Sequence, residues 1–162
     1  MQQFRTGFGY DVHQLAADRK LILGGIEIPF DRGLLGHSDA DVLLHAICDA
    51  LLGALALGDI GSHFPDDNDL YKNIDSKILL KNVYVIIKEK GYVLSNLDST
   101  VVMEKPKLRP HIDEMRKTIS EILESEIDQI GVKATTSEKL GFVGKEEGVE
   151  AFANVLLIKK DN

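Results

Sequence analysis

A single cysteine, Cys48, leaves this chain without any internal disulfide, so a reducing, cytoplasmic setting is the expectation. No apolar run reaches membrane-spanning length. The opening residues, Met1-Gln2-Gln3-Phe4-Arg5-Thr6, have the features of neither a signal nor a transit peptide. A basic excess is also missing: 19 Lys and Arg stand against 26 Asp and Glu, a net charge of −7. That excludes a general nucleic-acid binder, which presents a basic surface. It also means that a phosphorylated ligand would need cations supplied locally. Repeats, low-complexity tracts and linkers are absent. What is there is 162 residues of ordinary globular composition, 44% apolar and 28% charged, which suits one domain spanning 1–162 with a real core.

Within that ordinary background, Ala40 to Leu57 reads as one buried helix rich in alanine and leucine. Its strongly polar members, Asp41, His45 and Asp49, recur at i, i+4 and i+8 and so share one stripe. A polar stripe on an apolar helix cannot face solvent. Each group needs a partner inside, and a metal, a ligand or a neighbouring subunit would serve. Ser38 is placed to cap the helix with Asp41 at N3, and Gly58 to end it.

The remaining elements follow from periodicity and punctuation. Phe4 to Val12 reads as a strand, on which Asp11 and His13 point to the same face. Gly24-Gly25 between Leu21-Ile22-Leu23 and Ile26-Glu27-Ile28 signals a hairpin, and Pro29 and Gly33 mark a loop after it. Ser76 to Lys90 and the run Ile112–Leu123 have helical periods. Tyr92 to Met103, Ile130 to Thr136 and Val149 to Lys160 read as strands. This order predicts an α+β domain with a single mixed β-sheet, helices packed on one face, and a small β-hairpin. Val155-Leu156-Leu157-Ile158 is apolar at every position, so the other face also needs a cover, which further subunits would provide.

Several stretches carry chemistry. Asp11-x-His13 with His45 has the ligand types of a catalytic zinc site, two imidazoles and one carboxylate with an open position. The alternative is a strand-end hydrogen-bonding pair and a separate core histidine; Cys48, three residues after His45, is either a rival ligand or a small buried apolar residue. His37-Ser38 reads as an anion site at a helix start or as a plain cap. The four aspartates from Asp59 to Asp69 could hold magnesium or sugar hydroxyls, or be a solvated loop. Thr135-Thr136-Ser137-Glu138 suits phosphate oxygens and a hard cation on Glu138, or a turn cluster. Lys105 to Arg109 offers three cations with two rigidifying prolines, Pro106 and Pro110, for a phosphate or base contact, against a simple surface charge run. His63 and His111 have no supporting neighbours and read as structural.

Together, and in order, Gly9-Tyr10-Asp11-Val12-His13, Leu23-Gly24-Gly25, His37-Ser38-Asp39-Ala40-Asp41, Leu51-Leu52-Gly53-Ala54, Gly58-Asp59-Ile60-Gly61 with Phe64-Pro65-Asp66, and Val132-Lys133-Ala134-Thr135-Thr136 with Glu138-Lys139-Leu140-Gly141-Phe142 resemble the 2-C-methyl-D-erythritol 2,4-cyclodiphosphate synthase family. The resemblance runs from about Gly9 to Ile158. It implies a lyase of the non-mevalonate isoprenoid pathway that cyclises 4-diphosphocytidyl-2-C-methyl-D-erythritol 2-phosphate and expels CMP. It implies a homotrimer with sheets facing the three-fold axis and active sites between subunits. It implies Zn2+ on Asp11, His13 and His45, and Mg2+ or Mn2+ on Glu138 bridging the substrate diphosphate.

The same resemblance gives His37 and Thr136 the transition-state role and Ser38 a phosphate contact. Asp59, Ile60 and Gly61 fall on ribose and erythritol contacts, and Phe64, Pro65, Asp66, Asp67 and Asn68 on a flexible substrate loop. Met103, Glu104, Lys105, Pro106, Lys107, Leu108 and Arg109 fall on the cytidine pocket. Thr135, Thr136, Ser137 and Glu138 fall on a phosphate site. Asp11, Val12 and His13 also fall within substrate-contact positions, as do Phe142 and Lys145. Lys145 stands where the family often has arginine, Tyr10 where many members have phenylalanine, and Met103-Glu104-Lys105 where a small neutral run is common. Asp49 is expected to orient the His45 ring or a ribose hydroxyl.

Overall fold

The structure is a computed structural model that describes residues 3–65 and 73–160. Strands β1 (Phe4–Ala17), β4 (Arg32–Leu35), β5 (Tyr92–Val102), β6 (Ile130–Thr135) and β7 (Gly148–Lys159) form one sheet in the order β4-β1-β7-β5-β6. Only β5 and β6 pair in parallel, and helix α4 (Ile112–Ile122) lies between them in the chain. The expected hairpin is present as β2 (Leu21–Leu23) and β3 (Ile26–Ile28), a separate two-stranded sheet. Helices α1 (Val42–Ala54) and α3 (Ser76–Glu89) complete the layer, with short turns α2 (Ile60–His63) and α5 (Gly141–Gly144). The α+β arrangement with a mixed sheet and a small hairpin is therefore as the sequence implied.

Alternation along the strands sorts the two faces. In β7, Val149, Ala151, Ala153, Val155 and Leu157 are buried against the helices, while Phe152, Leu156 and Ile158 on the other face are only half-buried. In β1 the outward set is Phe8, Tyr10 and Val12, all exposed, with Phe8 and Tyr10 packed on Phe152. The run Val155–Ile158 thus divides between core and open face.

Small residues set how closely α1 approaches. A Cβ on Gly7 would lie 1.9 Å from the Ala50 carbonyl oxygen, and one on Gly9 would lie 1.9 Å from that of Ala46. Two strand residues rise about 6.7 Å and four helix residues about 6 Å, so the steps keep pace. The helix runs back along the strand, from Ala50 over Gly7 to Ala46 over Gly9. The next strand positions on this face are Asp11 and His13, and His45 is the residue immediately before Ala46 in the helix. The metal-ligand candidates are therefore brought together by a backbone-to-backbone contact.

Four local expectations need correction. The N-cap of α1 is Asp41, whose side chain accepts from Leu44 N; Ser38 is spent elsewhere, accepting from Ala40 N. The helix ends at Ala54, because Ala56 turns left-handed (φ 56°), two residues before Gly58 can act, and Leu57 N bonds back to Leu52 O. Residues 32–35 form an edge strand where a loop was expected, since Gly33 lets β4 pass against the Lys20 carbonyl, 2.1 Å from where a Cβ would be. Asp41 needs no metal, ligand or subunit: Gly24 N (3.0 Å) and Gly25 N (2.6 Å) both donate to it, so the hairpin turn is its partner.

Candidate metal centre and nucleotide cleft

Asp11 Oδ2, His13 Nε2 and His45 Nδ1 form a nearly equilateral triangle, with separations of 3.0, 3.1 and 3.1 Å. They are the one group of three His, Cys, Asp or Glu among the described residues close enough to share an ion. Ligands at about 2.05 Å around a tetrahedral zinc stand roughly 3.3 Å apart, so the spacing fits. Their outer bonds fix which nitrogen is free. His13 Nδ1 lies 2.9 Å from Leu35 O and must donate to it. On His45, Nε2 lies 3.0 Å from Ser76 Oγ, and the Ser76 hydroxyl is itself committed as donor to Asp39. His45 therefore carries its proton on Nε2, and both lone pairs are directed at the triangle. Asp39 also accepts from Ser76 N, tying the approach to α1 to the start of α3.

Burial pushes the Asp11 carboxyl up, but hydrogen bonds and charge from His13 and His45 override it and hold it at about 2. Burial lowers the His13 ring's proton affinity, and the Asp11 carboxylate and the Leu35 carbonyl outweigh it, leaving the ring raised.

The triangle opens into a cleft of about 240 Å³ lined by His37, Ser38, Asp49, Ile60, Gly61 and Phe64 among others. Ser38 is buried, its hydroxyl 3.1 Å from His45 Nε2. Asp49 does not bond the His45 ring as expected; it accepts from Ile60 N at 2.7 Å and so fixes the start of α2. Burial raises its carboxyl, and the Ile60 amide opposes that. Asp59 caps α2 through Ser62 N. Pro65 is exposed beyond it, and Asp66, Asp67 and Asn68 lie outside the described residues. His63 Nε2 lies 2.9 Å from Leu57 O.

A second cleft, of about 430 Å³, is lined by Met103, Pro106, Lys107, Leu108, Arg109, Thr135 and Thr136. Glu104 and Lys105 do not line it: Lys105 pairs with Glu146 at 3.0 Å, and Glu104 accepts from the Ser137 amide at 2.9 Å. The Thr136 hydroxyl donates to Glu138 Oε1 at 3.0 Å. Register connects Val12 to Glu150, Glu150 to Val102 and Val102 to Thr135. Three strand spacings put Val12 and Thr135 about 14 Å apart, with β7 and β5 between them. Val12 and Phe142 line a third, apolar cleft beside Tyr10. Lys145 is exposed.

Two residues of the metal surroundings are missing from the sequence reading. Ser76 lies 31 positions from His45 and looks like any helix-start serine. Asp39 sits inside the motif, but nothing local says that it holds Ser76.

Residues 4–158 match the YgbB family. Proteins named 2-C-methyl-D-erythritol 2,4-cyclodiphosphate synthase from Geobacillus sp. (strain WCH70) and Bacillus cytotoxicus are 59% and 60% identical over 157 residues, 97% of this chain and 99% of theirs. A CDP complex of IspF from Plasmodium falciparum superposes with a TM-score of 0.86 at 38% identity, covering 98% of this chain and 97% of that one. The bifunctional IspDF from Campylobacter jejuni superposes with a TM-score of 0.96 at 42% identity; this chain, 99% covered, spans 44% of that longer protein. The chain belongs to the YgbB family, alongside the 2-C-methyl-D-erythritol 2,4-cyclodiphosphate synthases.

Proposed function

We propose that the chain cyclises 4-diphosphocytidyl-2-C-methyl-D-erythritol 2-phosphate to 2-C-methyl-D-erythritol 2,4-cyclodiphosphate and CMP, a step of isoprenoid biosynthesis. The observation that carries this reading is the Asp11–His13–His45 triangle in the lining of a cleft, in a chain with relatives of that name at about 60% identity. The substrate brings its own nucleophile: an oxygen of the 2-phosphate bonds to the β-phosphorus, and the bond from that phosphorus to the CMP oxygen breaks. The protein then has to hold two phosphates in line and offset their charge.

Asp11, His13 and His45 are suited to hold zinc, and Glu138 to hold magnesium or manganese with the substrate diphosphate; these ions would polarise phosphate oxygens and offset charge on the departing CMP. His37 and Thr136 donate hydrogen bonds to the transferring phosphoryl group. Ser38 contacts a phosphate. The Ile60 and Gly61 segment, held by Asp49 and Asp59, meets the sugar hydroxyls, with Phe64 lining the same cleft. Met103 and Pro106 to Arg109 receive the cytosine.

A homotrimer with the sheets around a common axis completes the site. Two features support it: β5 and β7 separate the metal and nucleotide clefts within one chain, and Phe4, Phe8, Tyr10 and Val12 leave the open sheet face apolar and exposed. None of the described helices is long and apolar enough to cross a membrane, which suits a cytoplasmic enzyme. Phosphorus NMR of the product tests the reaction. Cyclic diphosphate with stoichiometric CMP is expected; a linear hydrolysis product, or no CMP, would refute it.

A further inference from the structure

Glu104 follows β5 and Ser137 follows β6, so the parallel pairing of Val102 with Thr135 sets the two loops side by side. Oε1 of Glu104 accepts from Ser137 N at 2.9 Å and lies 3.4 Å from Lys139 N. The Ser137 hydroxyl has one proton to share between this same oxygen, at 3.1 Å, and the Leu140 carbonyl, at 2.7 Å. The loop so held is an unfavourable one. Glu138 and Lys139 are consecutive non-glycine residues at φ 54° and 65°, a conformation that persists only where surrounding contacts impose it. Within the loop, Thr136 and Glu138 bond each other, and nothing in that bond ties them to the rest of the protein. From the neighbouring strand end, Met103 N donates to Thr135 O at 2.9 Å and holds the start of the loop, and Glu104 supplies the side-chain tie to its far half. Its side chain is absent from the lining of the nucleotide cleft, although residues on both sides of it, Met103 and Pro106, are present there.

We propose that Glu104 is a positioning residue that holds the Thr135–Glu138 loop in the shape that grips the diphosphate of the nucleotide, without touching the nucleotide itself. This rests on the reading that the loop receives the diphosphate. Burial pushes the Glu104 carboxyl up, but the Ser137 and Lys139 amides outweigh it and the group sits below the usual carboxylate range, anionic and fit to accept. It also accounts for a carboxylate so near an anion site: its charge is turned to backbone amides and offset by Lys107.

Calorimetric titration with CDP and with cytidine, in magnesium buffer, tests the proposal on the wild-type protein and the variants Glu104→Ala, Glu104→Gln and Thr136→Ala. Glu104→Ala should weaken CDP about ten-fold, the cost of unpaired amides, while cytidine changes less than about two-fold. Glu104→Gln keeps an acceptor oxygen and should bind CDP as well as the wild type or better. Glu104→Asp withdraws the oxygens by one methylene and should show the same selective loss, which keeps the test open where the alanine variant fails to fold. Unchanged CDP affinity, a parallel loss of cytidine, or a glutamine variant as weak as alanine would each overturn the proposal. Thr136→Ala separates the two layers: CDP binding unaffected by it would refute the diphosphate placement itself. CDP weakened by Thr136→Ala but not by Glu104→Ala would refute only the role of Glu104.

Discussion

Replacing Gly9 by alanine puts one methyl group where the Ala46 carbonyl oxygen lies 1.9 Å away, with Ala50 N at 2.7 Å. Ordinary contact begins near 3.4 Å, so α1 must retreat by about 1.5 Å or the strand must bow by as much, since the obstacle is backbone and cannot rotate aside. Overpacking of this kind costs about 3 kcal/mol at the upper end of its usual range, and a domain of this size then loses roughly 6–12 °C of melting temperature. The second consequence is chemical. His45 is the residue before Ala46, and its Nδ1 stands 3.1 Å from both other ligands. Metal ligands tolerate displacements of about 0.2 Å, so the same retreat should lower zinc affinity on the order of 100-fold. Gly7→Ala is the control: it meets Ala50 O at the same 1.9 Å, one helical turn further from His45. It should lose comparable melting temperature and much less zinc affinity. Scanning calorimetry and zinc competition against a chelating dye measure the two effects. A Gly9→Ala protein with wild-type melting, or one that melts early yet binds zinc as tightly as the wild type, would refute the claim that this contact sets the metal centre.

Other outcomes follow from the same contacts. His45→Ala should lower zinc occupancy and turnover together while the assembly persists on a sizing column; full activity without metal would remove His45 from the ligand set. Ser76→Ala removes one of the two hydroxyls facing His45 Nε2 and releases Asp39, and zinc affinity should fall about 10-fold with the fold intact, measured by the same competition. Asp41→Ala strands the amides of Gly24, Gly25 and Leu44 and should cost at least about 3 kcal/mol in urea unfolding. In metal-free protein, Asp11 is depressed from 3.8 to about 2, so its contribution is present above pH 3.8 and is lost as pH falls toward 2, roughly 2 kcal/mol shared with its histidine partners. His13 is raised, so its contribution is complete below pH 6.5 and is lost as pH rises through the higher folded value. Urea midpoints should therefore be highest between about pH 4 and 6.5, and a maximum at alkaline pH would contradict the pairing.

Much of the metal centre could be read from residue spacing because it uses the simplest periodicities. Asp11 and His13 share a strand face by alternation, and His45 is marked by polarity on an apolar helix. The same polarity rule could not say which member of the stripe was the ligand. Asp41 is consumed by the hairpin turn and Asp49 by the Ile60 amide, both pairings between segments far apart in the chain. Capping failed for a related reason: Ser38 is a good N-cap by local rules, but tertiary contact with His45 and Ser76 claims its hydroxyl and moves the cap to Asp41. β4 escaped because Pro29 just before it and Gly33 within it are turn signals, and only the approach of Lys20 explains Gly33 there. The basic loop after β5 offered three cations on paper; in space Lys105 is taken by Glu146, leaving Lys107 and Arg109 at the cleft.

The measurement that bears most directly on the account is an anomalous difference map at the zinc edge from crystals grown with zinc. The account predicts one strong peak about 2.0–2.1 Å from Asp11 Oδ2, His13 Nε2 and His45 Nδ1. A zinc peak ligated elsewhere, or none with the three side chains turned apart, would contradict it.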